Sequence, residues 1–160
     1  MENKEIKLKY IAYSNSSKMT ANDGLLLAWS KKSLDDAYAP YSGFKVSASI
    51  LLANGEIVIG TNQENAAFPA GLCAEATALS AASAMHPGVA IQKIAISAKS
   101  EKHLLNTPVA PCGICRQRIR EYETRFGNNI EIILTGEIGE VFVFKTIKDL
   151  LPLSFSSAYI

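Results

Sequence analysis

The order of helix and strand patterns along the chain constrains its fold more than any other feature of the sequence. Segments with apolar residues at helical spacing alternate with short segments rich in β-branched residues. Strands that alternate with helices imply a sheet covered by helices on both faces. The predicted elements are, in order, a helix from Thr20 to about Tyr38, strands over 44–52 and 56–64, a helix over 73–86, a strand over 91–98, a helix over 111–123, and strands over 130–136 and 141–146.

Asn54-Gly55 separates the first two predicted strands and favours a type I′ hairpin turn. These two strands must therefore be antiparallel, whereas strands joined through a helix are typically parallel. We expect an α/β fold, a three-layer α/β/α sandwich around a mixed five-stranded sheet. Segment 5–11 alternates apolar and polar residues and is a candidate for an extra N-terminal edge strand. One domain over 20–160, preceded by an N-terminal extension over 1–19, accounts for the chain.

The charge and hydropathy of the chain exclude several classes of partner. The 160 residues carry a formal net charge of +1, which leaves no electrostatic footprint for nucleic acid or for an anionic membrane. No apolar run is long enough to span a bilayer, and the first residues lack the apolar core of a signal peptide. We therefore expect a cytoplasmic protein that binds neither nucleic acid nor membrane.

Three cysteines, Cys73, Cys112 and Cys115, stand near the predicted starts of two helices. An odd number of cysteines in a reducing compartment argues against a disulfide framework. Three thiolates and one solvent position would form a tetrahedral zinc site of the catalytic type, and helix N-termini favour thiolates. Three other interpretations remain open: buried free cysteines, a redox pair in the Cys-x-x-Cys segment, and a structural zinc site completed by His86 or His103.

Glu75 follows Cys73 by two positions at the entrance of the second predicted helix. The first residue at such an entrance need not be helical, so both side chains can face one pocket. A carboxylate beside a zinc-activated water is a suitable proton carrier, although a first-turn acid that favours the helix dipole explains Glu75 alone equally well. Cys-Ala-Glu followed downstream by Pro-Cys-x-x-Cys, however, matches the signature of the zinc deaminases, with Cys in the position that His often holds.

The chain resembles the cytidine deaminase family, in its three-cysteine, homotetrameric branch, over about residues 20–156. The stretches that carry the resemblance are YAPYSGFKVSASI, TNQENAAFPAGLCAEATAL, APCGICRQRIREY and DLLPLSF. The resemblance implies a cytidine deaminase-like catalytic domain that binds Zn²⁺. It also implies hydrolytic deamination of cytidine or deoxycytidine to uridine or deoxyuridine, with release of ammonia, as in pyrimidine salvage. The implied assembly is a homotetramer with its sites near the subunit interfaces.

The resemblance assigns roles to individual residues. Asn62 and Glu64 would bind the ribose hydroxyls, which is reasonable because residues i and i+2 of an extended segment lie on one face. Without the resemblance, Asn62 would be a turn residue, Glu64 a solvated acid, Phe44 a core residue and Phe155 a local hydrophobic anchor. The implied set is Cys73, Cys112 and Cys115 as zinc ligands, Glu75 as the proton shuttle, Asn62 and Glu64 at the ribose, Phe44 and the Ala74 N–H at the base, and Phe155 at the site of a neighbouring subunit.

Three positions depart from the family pattern. Ala76 stands where three-cysteine members usually have Arg, whose hydrogen bonds offset part of the negative charge of the thiolates. Its loss is expected to raise the pKa of the zinc-activated water. Ser47 replaces a family Gly and is expected to crowd the floor of the pocket. Phe68 replaces a family Tyr, so a stacking role is retained and a hydroxyl contact is lost.

Other functions remain compatible with the sequence. Blasticidin S deaminases also use three cysteines and lack Arg after the Glu, but their ribose-binding positions differ, so the NQEN stretch favours a nucleoside. A non-catalytic zinc-binding homologue would keep the fold, although the retained Glu75 argues against it. Deaminases of tRNA or DNA bases fit less well, because they normally use His as the first ligand and this chain lacks a basic face.

Overall fold

The computed structural model describes residues 1–160 and places three helices on a six-stranded sheet. No helix combines the length and the hydropathy that a bilayer span requires. The helices are α1 (Ala21–Lys32), α2 (Ala74–Met85) and α3 (Gly113–Phe126). The strands are β1 (Ile11–Tyr13), β2 (Phe44–Leu52), β3 (Ile57–Thr61), β4 (Ile91–Ser100), β5 (Glu131–Thr135) and β6 (Val141–Phe144).

The strands form one mixed sheet in the order β1-β6-β5-β4-β2-β3. β4 and β5 are parallel, and every other neighbouring pair is antiparallel. Helices α2 and α3 pack on one face, around a core that includes Ile50, Ile94 and Ile119. Helix α1 packs on the other face, around Leu26 and Ile133. The expected three-layer α/β/α sandwich with a mixed sheet is confirmed.

The additional edge strand is present, but it lies at Ile11–Tyr13 rather than over 5–11. It pairs antiparallel with β6, and the Tyr10 ring packs on Phe142 and Phe144 at centroid distances of 4.8 and 5.3 Å. The alternating pattern extends further toward the N-terminus than the pairing does. Because β6 ends at Phe144, the residues before Tyr10 have no partner strand.

Helix α1 begins where it was predicted and ends earlier. Thr20 is its N-cap and accepts a hydrogen bond from the Asp23 N–H at 3.3 Å, while the Thr20 hydroxyl donates to the Asp23 carboxylate at 2.7 Å. After Lys32 the chain tightens into a 3-10 turn over Ser33–Asp36. The tighter hydrogen bonding of this turn stops the α-helix before the predicted end at Tyr38.

The buried carboxylate of Glu123 ties the end of α3 to the segments that flank β5 and β6. Its Oε1 accepts hydrogen bonds from the N–H groups of Ile130 at 2.9 Å and Ile147 at 3.0 Å. The Thr146 hydroxyl donates to the same carboxylate at 2.8 Å. One side chain therefore provides the acceptor for two backbone groups that come from distant parts of the chain.

Glu123→Ala is expected to lower the free energy of unfolding by about 3 kcal/mol, because two buried N–H groups lose their acceptor. Glu123→Gln is the matched control. It retains Oε1 as the acceptor and is expected to cost less than about 1 kcal/mol. Urea denaturation measures both changes, and equal losses in the two variants would contradict the role assigned to this carboxylate.

Candidate active site

A cavity opens where the N-termini of α2 and α3 approach the sheet. Its volume is about 630 Å³, which is within the range of sites that enclose a small organic molecule. Its wall comes from the start of β2, the residues after β3, the N-terminus of α2 and the loop before α3. Among the residues that line it are Phe44, Asn62, Glu64, Cys73, Ala74, Glu75 and Cys112, all of which the sequence resemblance had placed in one site.

The sulfur atoms of Cys73, Cys112 and Cys115 lie within 4.8 Å of one another. Cys73 is the N-cap of α2, Cys112 is the N-cap of α3, and Cys115 is fully buried in the first turn of α3. In a tetrahedral site with Zn–S distances of about 2.3 Å, neighbouring sulfurs are about 3.8 Å apart. The cluster therefore fits one Zn²⁺ after small side-chain adjustments, with a fourth ligand position left for solvent or substrate.

The positions of the two histidines and of the third sulfur atom argue against two of the alternative interpretations. Neither histidine belongs to the sulfur cluster. His86 is the C-cap of α2, so the 12 residues of that helix, about 18 Å in length, separate it from Cys73. The interpretation as a structural Cys₃His site is therefore wrong. A redox pair of Cys112 and Cys115 also fails to explain why a third sulfur converges on them.

The protein environment acts differently on the three thiols. Burial opposes ionisation of Cys112, but the N–H groups of Cys115 and Ile114 and the Cys115 thiol lower its pKa overall. Burial raises the pKa of Cys73 and that of Cys115, and the neighbouring Glu75 carboxylate raises both further. Thiolates and a carboxylate in one cavity repel one another, and a cation bound among them relieves this repulsion.

Glu75 lies in the first turn of α2 and lines the cavity beside the sulfur atoms. Glu75 is only 4% exposed. Burial raises the pKa of this carboxyl, while its own backbone N–H and the Cys115 thiol act in the opposite direction. A carboxyl whose pKa is moved toward the working pH is suited to both accepting and donating a proton.

The Asn62 side chain makes hydrogen bonds to β2 at the point where β3 ends. Its Oδ1 accepts a hydrogen bond from the Val46 N–H at 2.8 Å, and its Nδ2 donates to the Phe44 carbonyl at 2.9 Å. The predicted strand over 56–64 ends at Thr61, because the Asn62 side chain takes the Val46 N–H, while the Asn62 carbonyl accepts from Tyr38 instead of β2. The same bonds hold Phe44 at the cavity wall, and one N–H of the amide remains available to a ligand.

The Glu64 carboxylate, which also lines the cavity, is held by two backbone N–H groups. Its Oε2 accepts hydrogen bonds from the N–H groups of Tyr41 at 2.8 Å and Ser42 at 3.2 Å. The Ser42 hydroxyl, together with these two N–H groups, holds the pKa of Glu64 below its usual value. The carboxylate is therefore ionised at neutral pH, and Oε1 is free to accept a hydrogen bond from a ligand hydroxyl.

Ala74 and Phe155 differ in their relation to the cavity. Ala74 is the first residue of α2 and lines the cavity, and the N–H of a first helical residue has no acceptor within the helix. Phe155 lies outside the cavity, is 59% exposed, and stacks on Tyr159 at a centroid distance of 5.9 Å. Its carbonyl accepts a hydrogen bond from the Gln117 side chain. The role of Phe155 at a neighbouring subunit stays a prediction.

Ser47 does not reach the floor of the cavity, so the expectation that it crowds the pocket is wrong. Val46 lines the cavity, and adjacent residues of a strand point to opposite faces of the sheet. Ser47 therefore faces the layer of α1. On that same face, the Ser49 hydroxyl donates to the Leu26 carbonyl of α1 at 2.6 Å.

Arg116 does not replace the arginine that is missing at Ala76. Ala76 is buried in α2. The nearest candidate by sequence, Arg116, is occupied elsewhere, because its Nε donates to the Pro111 carbonyl at 2.7 Å and its Nη1 to the Leu150 carbonyl at 2.8 Å. The groups that lower the pKa of Cys112 are the N–H groups at the start of α3 and the Cys115 thiol.

Sequence reasoning missed part of the cavity wall. Tyr41, Leu72, Val109 and Ala110 also line the cavity. Tyr41, Leu72 and Ala110 lie within the stretches that carry the family resemblance, and Val109 directly precedes one, so position along the chain was the available signal. Their apolar character alone does not distinguish them from core residues.

Known proteins share both the sequence and the fold of this chain. The family model described as the cytidine and deoxycytidylate deaminase zinc-binding region matches residues 21–126. Cytidine deaminase from Sporosarcina psychrophila is 39% identical over 132 residues, which cover 82% of this chain and 89% of that protein. Cytidine deaminase from Halalkalibacterium halodurans is 35% identical over 128 residues, which cover 77% of this chain and 86% of that protein.

A solved structure supports the same relationship. The crystal structure of cytidine deaminase from Burkholderia pseudomallei has a TM-score of 0.72 and 37% sequence identity, and the match covers 86% of this chain and 100% of that one. The zinc-binding region described for the family includes all three cysteines of the sulfur cluster. With its cavity, its sulfur cluster and these relatives, the chain belongs to the zinc-dependent cytidine and deoxycytidylate deaminase family.

Proposed function

We propose that this protein is a zinc-dependent hydrolase that converts cytidine and deoxycytidine to uridine and deoxyuridine with release of ammonia. The observation that carries the proposal is the convergence of three sulfur atoms and the buried Glu75 carboxylate in a cavity with room for a nucleoside. Family membership supports the same reaction, since relatives that match over most of their length are cytidine deaminases.

Cys73, Cys112 and Cys115 would hold the zinc ion, whose chemistry is to lower the pKa of a water molecule and supply a nucleophile at neutral pH. Glu75 carries the protons. Its carboxylate would carry one proton of the attacking water to N3 of the cytosine ring, and then the second proton of that water, from the new hydroxyl at C4, to the departing amine. The water oxygen becomes the oxygen at C4, the C4–N bond breaks and ammonia leaves, so no further reactant is needed.

The remaining cavity residues would orient the nucleoside. Glu64 and Asn62 offer an ionised carboxylate and a free amide N–H to the sugar hydroxyls. Phe44 offers an aromatic surface to the base, and the free N–H of Ala74 offers a donor to the base carbonyl at C2. The sugar would then lie near the end of β3, and the base would point toward Glu75.

Glu64→Gln is expected to raise KM for cytidine about tenfold and to change kcat little, because the sugar contact is made equally in the ground state and in the transition state. Glu56→Gln, at an exposed position just before β3, is the matched control and is expected to leave both constants unchanged. Steady-state kinetics on the two variants tests the assignment. A Glu64→Gln protein with an unchanged KM would remove Glu64 from the proposed sugar site.

Homotetrameric assembly, a cytoplasmic location and a place in pyrimidine salvage are part of the same proposal. Exposed aromatic side chains at the cavity mouth support the assembly. The rings of Tyr41 and Phe68 meet edge to face at 5.9 Å, yet these residues are 51% and 75% exposed. A neighbouring subunit that covered them and contributed Phe155 would exclude water from the site. Analytical ultracentrifugation of the purified protein tests the assembly.

The loss of ultraviolet absorbance on deamination tests the proposed function, with cytidine, deoxycytidine and blasticidin S as substrates and zinc analysis on the same sample. Turnover of cytidine or deoxycytidine by a zinc-containing protein would support the proposal, and the ratio of the two rates would give the sugar preference. Turnover of blasticidin S alone would assign the protein to that activity. Bound zinc without turnover of any substrate would indicate a non-catalytic homologue.

A further inference from the structure

Strand β3 and helix α2 meet at Gly60, and the contact is between their backbones. Gly60 is a buried residue of β3 that pairs with Ala48 of β2. A Cβ atom at this position would lie 2.3 Å from the Ala78 nitrogen, 2.7 Å from the Ala74 carbonyl oxygen and 2.8 Å from the Ala78 Cα. All of these atoms belong to the α2 backbone, so no side chain can rotate to make room.

The requirement for glycine comes from this close approach and not from the dihedral angles of the residue. The glycines with positive φ are at positions 43, 55, 88, 127 and 139, so Gly60 is not one of them. The facing helix presents Ala74 and Ala78, which are both fully buried and carry the smallest side chain that a helix favours. At positions 60, 74 and 78 no longer side chain holds the two backbones apart, so the absent side chain of Gly60 allows their close approach.

The contact lies between the two ends of the proposed nucleoside site. On the β3 side, Asn62 follows Gly60 by two residues and Glu64 follows it by four. On the α2 side, Ala74 stands between Cys73 and Glu75. The separation of the β3 and α2 backbones at Gly60 therefore sets the distance between the two ends of the site. One end is the strand that would hold the sugar, and the other is the start of α2, which would hold a zinc ligand and the proton carrier.

We propose that Gly60 is a positioning residue of the deaminase, which allows α2 to lie on β3 at the separation that aligns the base with Glu75. This inference rests on the function proposed above. Gly60 contacts neither the substrate nor the metal, and it acts through the placement of the first turn of α2.

The size of the expected effect follows from the contact distances. An ordinary contact of a Cβ atom is 3.4 Å or longer, so an alanine at this position must separate α2 from β3 by about 1 Å. Such a shift moves Cys73 and Glu75 together, away from the residues at the end of β3. A displacement of about 1 Å between a bound substrate and the catalytic groups lowers the rate roughly 10²-fold.

Gly60→Ala is expected to lower kcat/KM for cytidine about 100-fold, while the protein retains one zinc ion per chain and an unchanged circular dichroism spectrum. Calorimetry with uridine gives a measure that needs no turnover, and weaker binding is expected because the two ends of the site no longer match. Gly24→Ala is the matched control, since a Cβ there meets no atom within 4 Å. Its kcat/KM is expected to stay within about twofold of wild type.

A double-mutant cycle with Glu64→Gln separates positioning from general loss of structure. In the wild-type background, the nucleoside makes the sugar contact with Glu64 and the base contacts at the α2 end of the site together. After α2 has moved, it no longer makes both sets of contacts at full strength, so Glu64→Gln is expected to lower kcat/KM less in the Gly60→Ala background than in wild type. Additive losses would overturn the inference, as would a folded, zinc-containing Gly60→Ala protein with kcat/KM within about threefold of wild type.

A second variant covers the case in which Gly60→Ala does not fold. Ala78→Ser changes the helix residue whose backbone N and Cα face Gly60, and its hydroxyl can bond to the carbonyl four residues earlier, that of Ala74, which also faces Gly60. It is expected to show the same non-additivity with Glu64→Gln, and additivity would again overturn the inference. An inactive wild-type protein would overturn the proposed function and this inference with it, whereas an active wild type with an unaffected Gly60→Ala variant would overturn the inference alone.

Discussion

Glu75→Gln is expected to lower kcat for cytidine by about 10⁴-fold, because one carboxylate handles the proton of the attacking water and the protons that N3 and the departing amine receive. Gln has nearly the same shape but neither accepts nor releases a proton at neutral pH. The variant should still contain zinc, since Glu75 is not one of the sulfur ligands. Single-turnover kinetics together with zinc analysis measures both properties.

The chain offers a closely matched control for this substitution. Glu123 is also a helical carboxylate that is 4% exposed, but it lies at the other end of α3 from the cavity. Glu123→Gln is expected to leave kcat within about twofold of wild type, since it keeps the acceptor oxygen of the native residue. Near-normal turnover by a zinc-containing Glu75→Gln protein would refute the proposed proton carrier.

Removal of zinc by a chelator is expected to abolish the activity of the wild-type protein, and added Zn²⁺ is expected to restore it. The metal binds only when folding brings α2 and α3 together, so it also stabilises the native state. At a free zinc concentration of about 1,000 times Kd the stabilisation is about 4 kcal/mol, which corresponds to roughly 10 °C in Tm for a domain of this size. Differential scanning calorimetry of the zinc-free and zinc-loaded protein measures this shift.

Cys115→Ser extends the test to the ligand that is most deeply buried. Serine places a hydroxyl where the site needs a thiolate, and a hydroxyl is far harder to ionise, so zinc affinity and activity should fall together. Added Zn²⁺ should then fail to restore turnover or raise Tm. Full activity and one tightly bound zinc ion in this variant would exclude Cys115 from the metal site.

The strands of the sheet show which strand ends can be predicted from local sequence patterns. The predicted strand over 44–52 matches β2 at both ends, because its alternation and the Asn54-Gly55 turn are encoded in neighbouring residues. The return strand ends early, because the Asn62 side chain, and not its backbone carbonyl, accepts the Val46 N–H of β2. A competition between a side chain and a backbone ladder depends on where the partner strand lies, and periodicity does not contain that information.

The candidate site likewise has features that the sequence predicts and features that it does not. Spacing and residue chemistry made Cys73, Cys112 and Cys115 one possible ligand set, the resemblance to the deaminase family selected it, and the fold places their sulfur atoms within 4.8 Å of one another. The orientation of Ser47 was predicted wrongly, because a motif alignment matches positions along a chain and does not state which face of a strand each one occupies. The crowded contact at Gly60 was not predicted either, since it depends on a helix whose first residue lies fourteen positions further along the chain.

The sequence by itself determined the order of helices and strands, the mixed character of the sheet and the residue types that can bind zinc and move a proton. Those properties depend on short-range periodicity, turn chemistry and the functional groups of individual residues. Only the tertiary structure decided the strand order, the exclusion of both histidines from the sulfur cluster, the position of Phe155 outside the cavity and the backbone contact between β3 and α2. These depend on which distant segments pack together, and a packing distance belongs to a pair of elements and to neither one alone.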